Sequence, residues 1–120
     1  MNLIPADLLQ RLAANAVRAD LPGYDPVPVV KLFNPVGAAN WLVTEIESDD
    51  DTMFGLADLG FGCPELGSFS RAGIAALRLP FGLRIERDLG FASDQPLSRW
   101  ADTARKHGSI QAAERLLRSG

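Results

Sequence analysis

Apolar residues at Leu8, Leu9, Leu12, Ala13, Ala16 and Val17 recur three and four positions apart, the spacing that paints one stripe on a helix. Pro5 stands just ahead of them, where a first helical turn tolerates a missing amide hydrogen, so a helix is expected over 5–18. Asp20-Leu21-Pro22-Gly23 and the prolines at 26 and 28 then break the chain, and 29–33 reads as a strand. Asn34-Pro35-Val36-Gly37 is a turn. Two further runs, 41–47 and 53–59, flank the polar Ser48-Asp49-Asp50-Asp51-Thr52 and are expected to form an antiparallel hairpin.

A regular hairpin across that loop sets Ile46 opposite Phe54, Thr44 opposite Leu56 and Leu42 opposite Asp58. Because side chains alternate along a strand, Trp41, Val43, Glu45 and Glu47 then share the other face, and the first helix covers one of the two. Gly60 to Gly67 reads as a glycine-rich loop, Ser70 as the cap of a helix over 71–79 stopped by Pro80, and 83–89 as a fourth strand or an extended segment. In that segment Leu83, Ile85 and Leu89 would point inward and Arg84, Glu86 and Asp88 outward.

The last stretch carries its own stripe, Leu97, Trp100, Ala101 and Ala104. Gly108 can end that helix, and Ser109 can start another bearing Ile110, Ala113, Leu116 and Leu117. The expected architecture is α+β: a three- or four-stranded antiparallel sheet with a leading helix over 1–96, followed by a helical hairpin over 97–120.

Composition narrows the class. The 120 residues suffice for one core, and 47% hydrophobic against 22% charged residues is the balance of a self-folding globular chain. No apolar run approaches the roughly 20 residues of a membrane span, and the N-terminus lacks a basic start before an apolar run, so a cytoplasmic protein with no membrane partner is expected. The single cysteine, Cys63, agrees with a reducing compartment. The net charge of −3 divides unevenly: 13 acids against 7 bases over 1–96, and 2 against 5 over 97–120. The acidic body disfavours phosphate backbones; nucleic acid could be met only through Arg99, Arg105, Lys106, Arg115 and Arg118 of the tail. Ile110, Ala112 and Ala113 at the start of its second helix are poor base readers, which favours an αα-hairpin packed on the body or on a second copy.

The candidate chemistry is thin. A Cys63 nucleophile would need His107, the only histidine, to fold back from the tail. One Cys and one His exclude an ordinary structural zinc site. Oxygen ligands for magnesium or calcium exist in Glu45, Glu47, Asp58, Glu65, Glu86 and Asp88, although the regular register puts Glu45 and Asp58 on opposite faces. Gly60, Gly62 and Gly67 fit neither the dinucleotide fingerprint nor the P-loop. No cofactor is expected.

Four segments together resemble a known bacterial family. They are LIPADLL at 3–9, KLFNP at 31–35, Thr44-Glu45, and the run from Phe54 to Leu89, with PELGSFS at 64–70 and IERDL at 85–89 the most specific parts. The chain is similar over about 3–97 to the domain-of-unknown-function family 2958, DUF2958, which has no assigned reaction or catalytic residue. The resemblance implies a small cytoplasmic protein of plasmids and integrated elements, encoded beside antirestriction and conjugation genes. The expectation that follows is a non-enzymatic interaction protein of a mobile genetic element. It would occupy a host or element-encoded protein, such as a host defence or DNA-processing protein, through an acidic surface of Glu45, Glu47, Asp49, Asp50, Asp51 and Glu65, with homodimerisation open. The alternatives are a metal-dependent hydrolase or nuclease built on clustered carboxylates, and a dimeric DNA-binding protein that uses the basic tail.

Overall fold

In the computed structural model, which describes residues 3–117, helix α1 spans Ala6–Arg18, with Pro5 in extended conformation as its N-cap. Leu8, Leu9 and Leu12 turn inward and Val17 is exposed. Strands β1 (Val30–Phe33), β2 (Asn40–Ile46) and β3 (Thr52–Asp58) follow close to their expected bounds. The sheet, however, has five strands in the order β4-β3-β2-β1-β5, all antiparallel. Strand β4 (Glu65–Ser70) begins inside the expected glycine loop, and β5 (Glu86–Arg87) is the fourth strand expected from 83–89 reduced to two residues. On either side of β5, Ile85 is buried as expected, whereas Leu89 is exposed. Helix α2 is capped by Ser70, whose Oγ accepts from the Gly73 N–H, but it ends at Ala75 rather than 79.

The β2–β3 register departs from the regular hairpin for an identifiable reason. Ile46 faces Met53 and Glu45 faces Phe54, but Val43 already faces Gly55, so Thr44 is an extra residue and forms a bulge. The bulge transfers Glu45 to the face of Leu42 and Leu56, and Ile46 to the face of Trp41 and Val43, reversing both expected placements. Two residues hold it. Gly55 is obligatory, because a Cβ there would lie 1.8 Å from the Leu42 carbonyl oxygen. Asn15 of α1, buried, donates from Nδ2 to the Thr44 carbonyl at 2.9 Å, giving the displaced carbonyl a partner.

Helices cover both faces of the sheet. On one, α1 packs Leu12 with Ile4, Val30, Leu32, Trp41, Val43, Ile46, Met53, Ile74 and Ile85. On the other, α3 (Leu97–His107) and α4 (Ile110–Leu117) bury Leu97, Trp100, Ala101, Ala104, Ile110 and Ala113 with Leu42 and Leu56. The C-terminal hairpin is thus docked on the body. Gly108 ends α3 at φ 87°, a left-handed turn that glycine adopts without a Cβ penalty, and the Ala112 N–H donates to Ser109 Oγ at the start of α4.

Candidate functional site

The aspartates between β2 and β3 are occupied by the chain itself. Asp49 accepts from the backbone N–H of Asp51 and Thr52 and, at 2.6 Å, from Thr52 Oγ1; that hydroxyl, followed by the two amides, holds its carboxyl below the usual aspartate range. Asp50, at φ 59°, pairs with Arg71 at 2.8 Å. Asp51 accepts from Ser70 Oγ and from the Ala72 N–H, and its carbonyl takes the Arg71 N–H. The acidic turn therefore fastens α2 to the hairpin. The Glu47 and Glu65 side chains are exposed and make no hydrogen bond or ion pair among the described residues. Glu45 lies outside this surface: it is 8% exposed and accepts from the Tyr24 hydroxyl at 2.9 Å. Burial first, and then the hydrogen bond to Glu45 and its negative charge, push the Tyr24 phenol well above its ordinary value.

Asp58 is also internal. Its Oδ1 accepts from the Gly60 N–H and its Oδ2 from the Ile110 N–H, both at 2.9 Å, so it caps the first turn of α4 from the end of β3. The bulge does put Glu45 and Asp58 on one face, but the four residue steps along β3 from Phe54, which faces Glu45, to Asp58 separate them by about 13 Å. Among the described residues no three His, Cys, Asp or Glu side chains converge in a way that would hold a metal ion. Exposed Cys63 shares a shallow cleft with Glu65 and Arg105, whereas His107 lines a different one with Arg99, Asp102 and Lys106.

Two of the sequence segments singled out above meet in space. KLFNP forms β1 and its turn, IERDL forms β5, and they pair as Leu32 with Arg87 and Phe33 with Glu86. Lys31, only 8% exposed, reaches Glu114 of α4 at 2.6 Å and Asp88 at 3.6 Å, with its ammonium 5.9 Å from the Phe33 ring centroid. Beside it a cleft of about 410 Å³ is lined by Asn34, Asn40, Glu86, Arg87 and Gln111, among others. A buried cation linking β1 to the residue after β5 and to α4 ties the C-terminal hairpin to the body, a pairing that no local sequence pattern announces. The family described as "Protein of unknown function (DUF2958)" matches residues 3–111. The chain belongs to that family. The match runs beyond the expected limit near 97 and includes all of α3 and the start of α4, in keeping with their place in the core. No curated protein and no solved structure matches the chain.

In this DUF2958 protein the largest feature missed by the sequence reading is the edge strand β4. Its signal was present as a mirror image: Leu56-Gly55-Phe54-Met53 of β3 lies opposite Leu66-Gly67-Ser68-Phe69. Glu65, Leu66, Ser68 and Ser70 are exposed, and among the described residues no strand pairs with the outer edge of β4. Next to Glu65, Leu59 and Phe61, the latter 82% exposed, line a shallow cleft of about 180 Å³ with Ala57 and Cys63. The acidic turn lies at one end of β4, joined through Ser70 and Arg71, and Glu65 lies at the other. In the tail, Arg99, Arg105, Lys106 and Arg115 are exposed, but the start of α4 is turned into the body at Asp58; Arg118 lies outside the described residues.

Proposed function

We propose that this DUF2958 protein is a non-enzymatic, cytoplasmic interaction protein of a mobile genetic element. It occupies a host defence or DNA-processing protein by accepting an extended segment of that partner along β4. The observation that carries this reading is the open six-residue edge of β4, with Leu66 on it and exposed Leu59 and Phe61 beside it. Sheet edges of this kind are usually blunted by lysine, proline, a bulge or a covering element, and Glu65-Leu66-Gly67-Ser68-Phe69-Ser70 contains neither lysine nor proline. An added strand would gain main-chain hydrogen bonds from the edge and side-chain specificity from the apolar cleft. Acid at both ends, Glu47 beside the turn on one side and Glu65 on the other, suits a partner strand with an apolar centre and basic flanks.

The test compares variants at exposed positions. The tagged chain is used to isolate partners from host lysate after nuclease treatment, alongside Leu66→Lys, Phe61→Asp and the double variant Glu47→Lys/Glu65→Lys. The expected result is a stoichiometric protein retained by the wild type, lost by the two edge variants, and bound roughly fivefold more weakly for each reversed charge, about 1 kcal/mol apiece. A partner retained equally by all of them, or binding that nuclease abolishes, overturns the reading.

A further inference from the structure

A second surface, remote from β4, has the chemistry of a ligand site. Arg11, Asn15 and Arg18 recur at i, i+4 and i+7 on α1 and, with Ala14, form one wall of a cleft of about 590 Å³. Tyr24, Asp25, Pro26, Val27 and Val29 form the other wall. Arg11 has no hydrogen bond or ion pair among the described residues. Arg18 makes one hydrogen bond, from Nη2 to Asn15 Oδ1 at 2.6 Å, and because Asn15 is itself anchored on the Thr44 carbonyl, that guanidinium is held at the cleft. The nearby carboxylates are already committed. Glu45 is behind the Tyr24 hydroxyl, and both oxygens of Asp25 accept from Ser98, one from its N–H at 3.1 Å and the other from its hydroxyl.

Two guanidiniums without an acidic partner among the described residues line one concavity, across which the Asp25 carboxylate keeps its charge but has both oxygens taken up by Ser98. A single carboxylate would satisfy one of them. A phosphate monoester, with a charge of about −1.5 to −2 and three acceptor oxygens, can engage both. Pro26, Val27 and Val29 offer the apolar wall that a planar or aliphatic body would cover. We propose that this cleft binds a small organic phosphate, its phosphoryl group between Arg11 and Arg18 and its body against Pro26, Val27 and Val29.

Calorimetric titration with inorganic phosphate, adenosine 5′-monophosphate, glycerol 3-phosphate and adenosine tests the assignment. The two phosphate esters should bind at least tenfold more tightly than adenosine, and one of them more tightly than inorganic phosphate. Arg11→Glu, at an exposed residue without a hydrogen bond or ion pair among the described residues, should weaken the better ester at least tenfold with unchanged circular dichroism, while Lys106→Ala in the last turn of α3 leaves it unaltered. Raising salt should weaken binding as well. The proposal fails if neither ester binds at millimolar concentration, if adenosine binds as tightly, or if Arg11→Glu binds like the wild type. Loss of the β4 partner has no bearing on these outcomes, so the two assignments stand or fall separately.

Discussion

Replacing Asn15 by alanine should cost far more than its position near the end of a surface helix suggests. The amide is the donor that α1 supplies to the Thr44 carbonyl at the bulge, and its removal takes that buried hydrogen bond away. An orphaned buried polar group costs about 1–3 kcal/mol. For a chain of this length that corresponds to a fall in midpoint temperature of roughly 3–15 °C. The matched control is Arg18→Ala, which removes only an exposed donor to Asn15 and should stay within about 0.5 kcal/mol of the wild type. Asn15→Asp should be worse than alanine near neutral pH, where a carboxylate would face the carbonyl; burial raises that acid above its ordinary value, so stability should recover partly as pH falls toward about 4 and the protonated acid regains a donor. Urea unfolding followed by tryptophan fluorescence is a suitable assay, because Trp41 and Trp100 report the two opposite layers. Equal midpoints for Asn15→Ala and Arg18→Ala would refute the idea that α1 holds the bulge.

Other substitutions test other joints. Tyr24 is the only tyrosine, so absorbance near 295 nm reports it alone; the phenolate should not appear through pH 10–11 in the folded protein. Since its folded value is raised, the stabilisation it provides is complete below about pH 10 and is lost as pH climbs above that toward the folded value, and Tyr24→Phe should flatten this decline in alkaline urea titrations. Lys31→Met should destabilise by roughly 3 kcal/mol through the carboxylates of Asp88 and Glu114 left without the ammonium, measured as an earlier urea midpoint. Phe81, at φ 64° and 90% exposed, is in a left-handed conformation that disfavours a Cβ, so Phe81→Gly should raise stability by about 1 kcal/mol in the same experiment.

Most of the layers were legible in the chain because local rules and packing agree there. The stripes of α1, α3 and α4, the Ser70 and Ser109 caps, Gly108 and the two central strands all follow from period and punctuation. What was not legible depends on contacts distant in sequence. Thr44 has no local mark of a bulge; its cause is Gly55 eleven residues later and Asn15 twenty-nine earlier. Hence Glu45 read as surface charge and is buried against Tyr24. β4 was obscured by glycines that suit a loop equally well, and only its complementarity to β3 reveals it. For the candidate surface, the sequence indicated where acid collects, but not that Asp49, Asp50 and Asp51 are engaged with Thr52, Arg71 and Ser70, leaving Glu47 and Glu65 as the free carboxylates of that set.

The docking of α3 and α4 also imposes an order on synthesis. Everything on the α1 side of the sheet is encoded before residue 90, so that layer can close while the chain is still growing. Leu42 and Leu56 have no cover until residues 97–117 emerge, and Asp58 and Lys31 wait equally long for Ile110 and Glu114. A ribosome paused after Pro96 therefore displays a half-finished, greasy sheet face, a substrate for chaperones and for self-association. Emergence of residues 97–117 then covers that face.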